Sequence, residues 1–299
     1  MELHLVDGTY ELFRAHFAPR PPVIGRDGRV LSGVSGVVEQ LLYLLREEGA
    51  THVGVATDRE IRSFRNDLYP GYKTEAGMPP ELLDQFPIVE EAIEALGMVL
   101  WSMLEFEADD AIAAAVERWA DHPAVDRILV CTPDKDMAQL VRDDRVVLFD
   151  RRRRIVYDAA GVREKWGVEP PSIPDWLALV GDSADGYPGL PGWGARSASA
   201  VLARYGSLEG IPSRASAWDV PGLRGAVGLA ASLGQHQEEV LLYRSLARLR
   251  TTADGVVIPQ QDPEELRWLG APRARWETFC DRWQLPRLRE RPHRWRRDP

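Results

Sequence analysis

The chain has 299 residues, of which 44% are hydrophobic and 28% are charged. This composition is typical of a soluble globular protein with a substantial core, and no apolar run is long enough to cross a bilayer. The net charge of −9 argues at first sight against a nucleic-acid partner, but an acidic pocket that holds cations can coexist with basic surface elsewhere.

Neither the amino terminus nor the cysteines indicate secretion. The opening stretch "MELHLVDGTY" lacks the basic start and the long apolar run of a signal peptide, and it is typical of a strand. Cys131 and Cys280 are far apart in sequence and form no metal-type pair. We therefore expect a reduced, cytoplasmic compartment and no membrane partner.

The first half of the chain alternates strand-like and helix-like segments. In chain order they are "ELHLVD", "GVSGVVEQLLYLLREEG", "THVGVATD", "PPELLDQFPIVEEAIEALG" with an interruption at Pro87, "MVLWSM", "EADDAIAAAVERW" and "RILVCT". This rhythm predicts a parallel α/β sheet flanked by helices. The run "RRRR" between "RVVLFD" and "RIVYD" predicts a hairpin turn with solvated charges.

The second half has a helical pattern with turns rich in Gly and Pro. Its clearest unit is "GDSADGYPGLPGWGARSA", a glycine-punctuated loop between two helices. We predict an α/β core over residues 1–168, a helical region over 169–260, and a helical segment with a basic tail over 261–299. The tail "LPRLRERPHRWRRDP" is interpreted as an arm that contacts phosphates, with a solubilising end as the alternative.

Carboxylates follow several of the predicted strands. Turn and cap chemistry explains any one of them, but carboxyl ends of parallel strands share one edge of a sheet, where ligands bind. Oxygen ligands suit Mg²⁺ or Mn²⁺ better than zinc, and two such ions can act together on a phosphodiester. The acids at strand ends are Asp7, Asp58, Asp134 and Asp136, and those at a helix start are Glu107, Asp109 and Asp110.

The loop "GLPGWGARSA" precedes a helix and offers a possible phosphate site. Its glycines allow close backbone approach, and free amides at the helix start can bind an anion. Plain turn geometry accounts for such a loop equally well, but the neighbouring "GDSAD" adds two further acids. The loop residues are Gly189, Gly192, Gly194, Arg196 and Ser197, and the acids are Asp182 and Asp185.

Taken in order, "LVDGTYELFR", "ATDREIRSFRNDLYPGYK", "EADD", "TPDKDMAQLV" and "GDSADGYPGLPGWGARSA" resemble motifs of the bacterial 5′→3′ exonuclease/flap endonuclease family. The resemblance runs from residue 2 to about residue 250. Within the family, the chain especially resembles the amino-terminal 5′-nuclease domain of DNA polymerase I. It implies a PIN-like nuclease core with an arch region at about 64–86. It also implies a helix-hairpin-helix (helix-3-turn-helix) region that binds duplex DNA.

The resemblance also implies roles for individual residues. Two Mg²⁺ or Mn²⁺ ions would be held by two groups of acids, with water attacking DNA near a 5′ single-strand/duplex junction in replication and repair. Lys73 and Arg65 would hold the scissile phosphate, Tyr72 would stack on a base, and Arg14 would contact a phosphate. The loop Gly189–Ser197 would hold the duplex, with a K⁺ on its carbonyls. The first metal group is Asp7, Asp58, Glu107, Asp109 and Asp110, and the second adds Asp134, Asp136, Asp182 and Asp185.

Some positions depart from the family pattern. Gly186 replaces an Asn, Arg196 replaces a Lys, and Pro133 replaces a small residue. We expect a stand-alone monomeric nuclease with a polymerase partner supplied in trans. The alternatives are a dehalogenase-type phosphatase, disfavoured because its nucleophile position is Leu5, a DNA-binding module without cleavage, and a related metal-dependent ribonuclease.

Overall fold

The structure, a computed structural model, describes residues 1–25 and 27–296. It forms two compact units, neither of which is continuous in sequence. The first unit comprises residues 1–61, 75–132 and 250–299, and the second comprises 62–74 and 133–249. The domain division at residues 168 and 260 stays a prediction, because these units group residues by contact rather than by position along the chain.

The strands and helices follow the predicted order. The strands are β1 (Glu2–Asp7), β2 (His52–Asp58), β3 (Val99–Met103), β4 (Arg127–Cys131), β5 (Val146–Asp150) and β6 (Ile155–Tyr157). The helices are α1 (Gly8–His16), α2 (Ser32–Arg46), α3 (Phe64–Leu68), α4 (Pro80–Leu83), α5 (Phe86–Ala95), α6 (Ala108–Trp119), α7 (Ala159–Trp166), α8 (Ile173–Val180), α9 (Ala195–Tyr205), α10 (Ala226–Gln235), α11 (Gln237–Ala247) and α12 (Arg273–Trp283). In the described residues, no helix is long and apolar enough to cross a membrane.

The first unit contains a parallel sheet in which β1 lies between β2 and β4, and β3 pairs with β2. The strands β1, β2 and β4 are almost wholly buried, which explains why they read as apolar runs rather than as alternating patterns. In this register Asp7 pairs with Ala56 and Asp58 pairs with Met103. The predicted parallel α/β sheet is confirmed.

The interruption predicted at Pro87 is a break between α4 and α5. Gln85, which lies in the break, is fully buried, and its Oε1 accepts hydrogen bonds from the amides of Gly33 (2.8 Å) and Val34 (3.2 Å). The helix α2 has no side-chain cap of its own, so Gln85 supplies acceptors for its unpaired amides. The predicted helix is therefore interrupted at Gln85, whose side chain caps α2.

A segment after residue 250 returns to the first unit. Glu117 on α6 accepts hydrogen bonds from the Thr251 hydroxyl (2.8 Å) and the Thr252 amide (3.0 Å). Beside it, the Arg118 guanidinium donates to the carbonyls of Ile258 (2.9 Å) and Gln260 (2.5 Å). These contacts fix residues 250–260 on α6, although the sequence pattern placed them in the helical region.

In the second unit, β5 and β6 form an antiparallel hairpin whose turn is the run 151–154. The predicted hairpin is therefore confirmed. The helices α8 and α9 flank the loop 181–194, which also confirms the predicted helix–loop–helix arrangement. Gly181 and Gly189 bring the start of this loop close to its middle, since a Cβ on Gly189 would lie 2.4 Å from the Gly181 amide nitrogen.

We expect Glu117→Gln to lower the free energy of unfolding by about 1 kcal/mol at pH 7, because charged acceptors make stronger hydrogen bonds. Although burial raises the pKa of Glu117, its hydrogen bonds to Thr252 and Thr251 lower it below the usual value. This stabilisation is therefore present above the unfolded-state pKa and is lost as the pH falls through the folded-state pKa. Denaturant unfolding between pH 3 and 7 would measure the trend, with the exposed Glu60→Gln as the control. A pH-independent difference would contradict it.

Candidate active site

Two of the predicted acids lie at the carboxyl ends of β1 and β2. The Asp7 carboxylate accepts hydrogen bonds from the Tyr10 amide (2.8 Å) and the Thr132 hydroxyl (3.1 Å). The Asp58 carboxylate accepts one from the Ala108 amide (2.7 Å). Both acids are buried and face amides at helix starts, where the positive end of the helix dipole favours negative charge. The fold thus fixes their orientation through the backbone.

The helix α6 begins with Glu107, Asp109 and Asp110, which have different surroundings. Asp110 is fully buried, and its two oxygens accept hydrogen bonds from the amides of Glu107 (2.9 Å) and Arg250 (2.8 Å). Glu107 is buried at the cap position, and Asp109 is half-buried. Asp110 therefore caps the helix and holds the returning segment, which is a structural reason for one of the three carboxylates.

The second unit brings three of the predicted acids together. One carboxylate oxygen from each of Asp136, Asp182 and Asp185 lies within 4.8 Å of the others. Asp134 precedes this carboxylate cluster on the chain, and its oxygen accepts a hydrogen bond from the Asp136 amide (3.0 Å). Asp136, Asp182 and Asp185 are close enough for a single metal ion to bind all three, and oxygen donors of this kind suit a hard divalent cation.

Electrostatics in the carboxylate cluster favour a bound cation. Burial, and then the charges of Asp134, Asp185 and Asp182, raise the pKa of Asp136 well above its usual value. Its Oδ1 is buried and has no hydrogen-bond partner in residues 1–25 and 27–296. An unpartnered buried oxygen among like charges is costly unless a proton or a metal ion neutralises it.

Two lysines supply part of the missing positive charge. The Lys135 ammonium lies 2.5 Å from an Asp182 oxygen, and the Lys73 ammonium lies 3.3 Å from an Asp185 oxygen. Burial lowers the pKa of Lys135, but the hydrogen bond to Asp182 and the nearby acids raise it above its usual value. The sequence motifs predict no role for Lys135, although its position between two acids in "PDKD" indicates an electrostatic contact.

Gly186 explains how Lys73 reaches the carboxylate cluster. Its φ is +88°, and a Cβ at this position would lie 2.2 Å from the Gly71 carbonyl oxygen. The Lys73 amide donates a hydrogen bond to the Asp185 carbonyl (3.0 Å). The glycine that departs from the family pattern thus allows two backbone segments to touch, and this contact positions Lys73.

Tyr187 is a second residue for which the sequence motifs predict no role. It pairs with Asp182 through two backbone hydrogen bonds of 2.8 and 3.0 Å and stacks on Tyr243 with ring centroids 5.6 Å apart. Burial and the charges of Asp136, Asp185 and Asp182 raise the pKa of its phenol. Tyr187 therefore remains neutral and anchors the loop that carries Asp182 and Asp185.

The structure does not bring Arg65 and Tyr72 to the surface, where contact with DNA requires them. Arg65 is 1% exposed, and its guanidinium donates to the carbonyls of Leu246 (2.8 Å) and Arg248 (3.2 Å). Tyr72 is 3% exposed. The burial of Arg65 depends on carbonyls far away in sequence, so its local sequence "SFRND" could not reveal it.

The glycine-rich loop divides into two parts. Gly189 has no room for a side chain, whereas a Cβ on Gly192 or Gly194 would meet no atom within 4 Å. Gly194 caps α9, and its amide donates to the Ser197 hydroxyl oxygen (3.1 Å). Arg196 is exposed, and Arg14 is half-buried and paired with Glu11. Of these three glycines, Gly192 and Gly194, near α9, leave open space beside the backbone for a ligand.

We expect Asp136→Asn to stabilise the metal-free protein at pH 8, raising its Tm by about 2–4 °C, because it removes one of several crowded charges. A carboxyl group with a raised folded-state pKa makes stability fall as pH rises through the interval between its unfolded and folded values. Ca²⁺ should therefore raise the Tm of the wild type more at pH 8 than at pH 5. Thermal unfolding with and without Ca²⁺ would measure both effects.

The matched control is Asp67→Asn, which changes an exposed acid on α3. It should change neither the Tm without metal nor the increase in Tm that Ca²⁺ causes. An Asp136→Asn variant that is less stable than the wild type without metal, and that gains equally from Ca²⁺, would show that the carboxylate cluster is not a cation site.

Comparison with known families gives two matches that together cover most of the chain. A model described as the 5′-3′ exonuclease N-terminal resolvase-like domain matches residues 2–167. A second, described as the 5′-3′ exonuclease C-terminal SAM fold, matches residues 168–268. The predicted fold class, an α/β nuclease core with a helical carboxyl-terminal region, is thereby confirmed.

Solved structures share this fold at low sequence identity. T5 5′-exonuclease with bound zinc superposes with a TM-score of 0.67 at 19% identity, covering 95% of this chain and 99% of that chain. The catalytic core of Rad2 in complex with DNA substrate gives a TM-score of 0.60 at 17% identity, covering 94% of this chain and 87% of that chain.

Relatives of higher identity come from bacteria. DNA polymerase I of Mycobacterium leprae is 37% identical over 252 residues, which are 83% of this chain and 27% of that protein. The chain thus spans about a quarter of the length of the polymerases it matches. The 5′-3′ exonuclease of Aquifex aeolicus is 33% identical over 210 residues, 70% of this chain and 71% of that protein. As the resemblance predicted, the chain belongs to the 5′-3′ exonuclease family.

Proposed function

We propose that this chain is a metal-dependent 5′-nuclease that hydrolyses DNA phosphodiester bonds at junctions of a 5′ single strand with a duplex. The observation that carries the proposal is the carboxylate cluster of Asp136, Asp182 and Asp185, with its buried unpartnered oxygen, in a chain of the 5′-3′ exonuclease family. A T5 flap endonuclease structure contains both DNA and metal ions, which supports this substrate and cofactor.

Two alternatives account less well for the residues. A phosphatase with a covalent aspartate has no nucleophile here, because the corresponding position is the fully buried Leu5. A DNA-binding module without cleavage would not need to keep like-charged carboxylates together at a cost in stability. A ribonuclease of the same family remains an outcome of the substrate test described below.

The proposed cofactors are two divalent ions, Mg²⁺ or Mn²⁺, one for each group of acids. When bound, such ions lower the pKa of water and neutralise charge on the phosphodiester. We assign Asp110 a positioning role because both its oxygens already accept backbone amides. The first ion would be held by Asp7, Asp58, Glu107 and Asp109, and the second by Asp134, Asp136, Asp182 and Asp185.

Lys73 is proposed to hold the scissile phosphate, since its ammonium already lies beside Asp185 and is partly exposed. Arg65 would instead act through the fold, because its donors are bound to carbonyls. The open end of the glycine loop, with Arg196 and Ser197, would bind the duplex backbone and could take a K⁺ on its carbonyls. Arg14 is the proposed further phosphate contact.

The family relation also suggests a cellular context. Because several relatives are DNA polymerases, we propose a role in replication and repair beside a DNA polymerase partner. End-labelled flap, nicked and single-stranded DNA, each with an RNA counterpart, incubated with Mg²⁺ would test the substrate. Cleavage of RNA alone would replace this proposal by the ribonuclease alternative.

Asp109→Ala should reduce cleavage of flap DNA roughly 100-fold or more, because loss of a metal ligand removes stabilisation of the transition state. Binding of the same DNA in Ca²⁺ should survive, since the duplex-binding loop is untouched. The exposed Glu105→Ala, on the same segment, is the control and should cleave normally. Near wild-type cleavage by Asp109→Ala in Mg²⁺ would refute the metal assignment.

Lys73→Ala should lower kcat about 100-fold with little change in KM, because a cation beside the reacting phosphate acts most strongly in the transition state. Lys73→Arg should restore part of the rate. The exposed Lys165→Ala provides a control for the loss of one lysine charge. An increase in KM at constant kcat would instead indicate a general role in DNA binding.

A further inference from the structure

An open groove of about 1160 Å³ lies in the second unit between the first turns of α9 and α10. One wall is the end of the glycine-rich loop and the start of α9, residues 192–197. The other wall is the segment 221–228, "PGLRGAVG", which leads into α10 and has no assigned role. The Ser232 hydroxyl on α10 donates to the Pro191 carbonyl (2.7 Å), so the two walls are fastened together.

The groove is lined by glycines whose missing side chains face open space. A Cβ at any of them would meet no protein atom within 4 Å. Three of them have φ values between +73 and +82° and need glycine for their backbone, but Gly194 and Gly228 do not. The five positions are Gly192, Gly194, Gly222, Gly225 and Gly228.

Gly228 is the most informative of these residues because it lies inside α10. Glycine in a helix costs about 1 kcal/mol relative to alanine. Neither its φ nor its packing requires glycine, since a side chain there would meet open space. Gly234 of the same helix is equally free of neighbours but does not line the groove. Gly228 is therefore the position in α10 where a glycine keeps the groove open to a ligand that approaches the helix backbone.

The charged residues that line the groove indicate which class of ligand it would bind. Arg196 and Arg224 line it, both are exposed, and neither forms an ion pair within the part of the chain that the structure describes. Among residues 1–25 and 27–296, no Asp or Glu lines the groove, although the chain has a net charge of −9. Two helix amino termini add their unpaired amides, so the groove suits a polyanion.

Apart from Ser197, the remaining side chains of the lining are apolar and include Trp193, Leu223 and Leu229. A DNA strand alternates anionic phosphates with apolar sugars, and such a strand matches a groove with two arginines and an apolar floor. We propose that segment 221–228 is a second backbone-binding element for duplex DNA, acting with the glycine loop to hold one strand from both sides. This inference rests on the proposed function and extends it to Arg224 and Gly228.

The sharpest test compares two glycines of the same helix. Gly228→Leu places a side chain in the groove, whereas Gly234→Leu places one on α10 outside it. Both positions are exposed, and a Cβ at either meets no atom within 4 Å, so both variants should fold with a Tm at or above that of the wild type. We expect Gly228→Leu to bind a blunt 30-base-pair duplex in Ca²⁺ about tenfold more weakly, and Gly234→Leu within twofold of the wild type.

A second measurement tests the charge. Arg224→Ala should reduce the slope of log K against log salt by about one unit, the amount expected for one lost phosphate contact. Arg152→Ala, which removes an exposed arginine from the hairpin turn, should leave the slope unchanged. Fluorescence anisotropy with the same duplex at several salt concentrations measures both slopes.

The outcomes separate this inference from the proposed function. If Gly228→Leu and Arg224→Ala bind duplex like the wild type while Gly194→Leu does not, the second wall does not bind DNA and the inference fails alone. Such a result would leave the groove to a different partner, such as an acidic peptide. If the wild type itself does not bind duplex DNA, both this inference and the proposed function fail.

Discussion

Repulsion between carboxylates that the fold holds close together is the constraint on which the rest of this structure depends. Asp182 and Asp185 are held near Asp136, because backbone hydrogen bonds at Tyr187 and the approach of Gly181 to Gly189 fix the loop between α8 and α9. The chain offsets part of this repulsion with Lys135 and Lys73. The remaining repulsion lowers the stability of the fold, and a bound cation would neutralise it. Such a cost in stability is common where function and stability compete.

The same constraint explains several glycines and buried polar groups near the carboxylate cluster. Lys73 can reach Asp185 only because Gly186 and Gly71 touch through their backbones, a contact that any side chain at 186 would prevent. The buried Arg65 fixes the segment that precedes Lys73 by binding the carbonyls of Leu246 and Arg248. Residues that never meet a ligand thus determine where the charged groups lie.

The sequence predicted those features that depend on local pattern. Buried parallel strands have long apolar runs, so the positions of Asp7 and Asp58 at strand ends followed, as did the helix start at Glu107 and the hairpin at 151–154. It could not predict features that depend on partners distant in sequence. Burial of Arg65 and Tyr72, return of residues 250–260 to α6, and the pairing of Lys135 with Asp182 are of this kind.

In the second unit, the loop between α8 and α9 carries both acids of the carboxylate cluster and glycines of the proposed DNA-binding groove. Asp182 and Asp185 lie at its beginning, and Gly192 and Gly194 lie at its end, seven to twelve residues further along the chain. Since an extended chain spans at most about 3.3–3.6 Å per residue, a strand bound at Gly194 as proposed would lie within a fixed distance of the acids. The loop's own backbone contacts shorten that reach and make it rigid. In the proposed arrangement, an acidic protein would hold a polyanion through backbone amides and two arginines, while Asp182 and Asp185 are confined to the other end of the same loop.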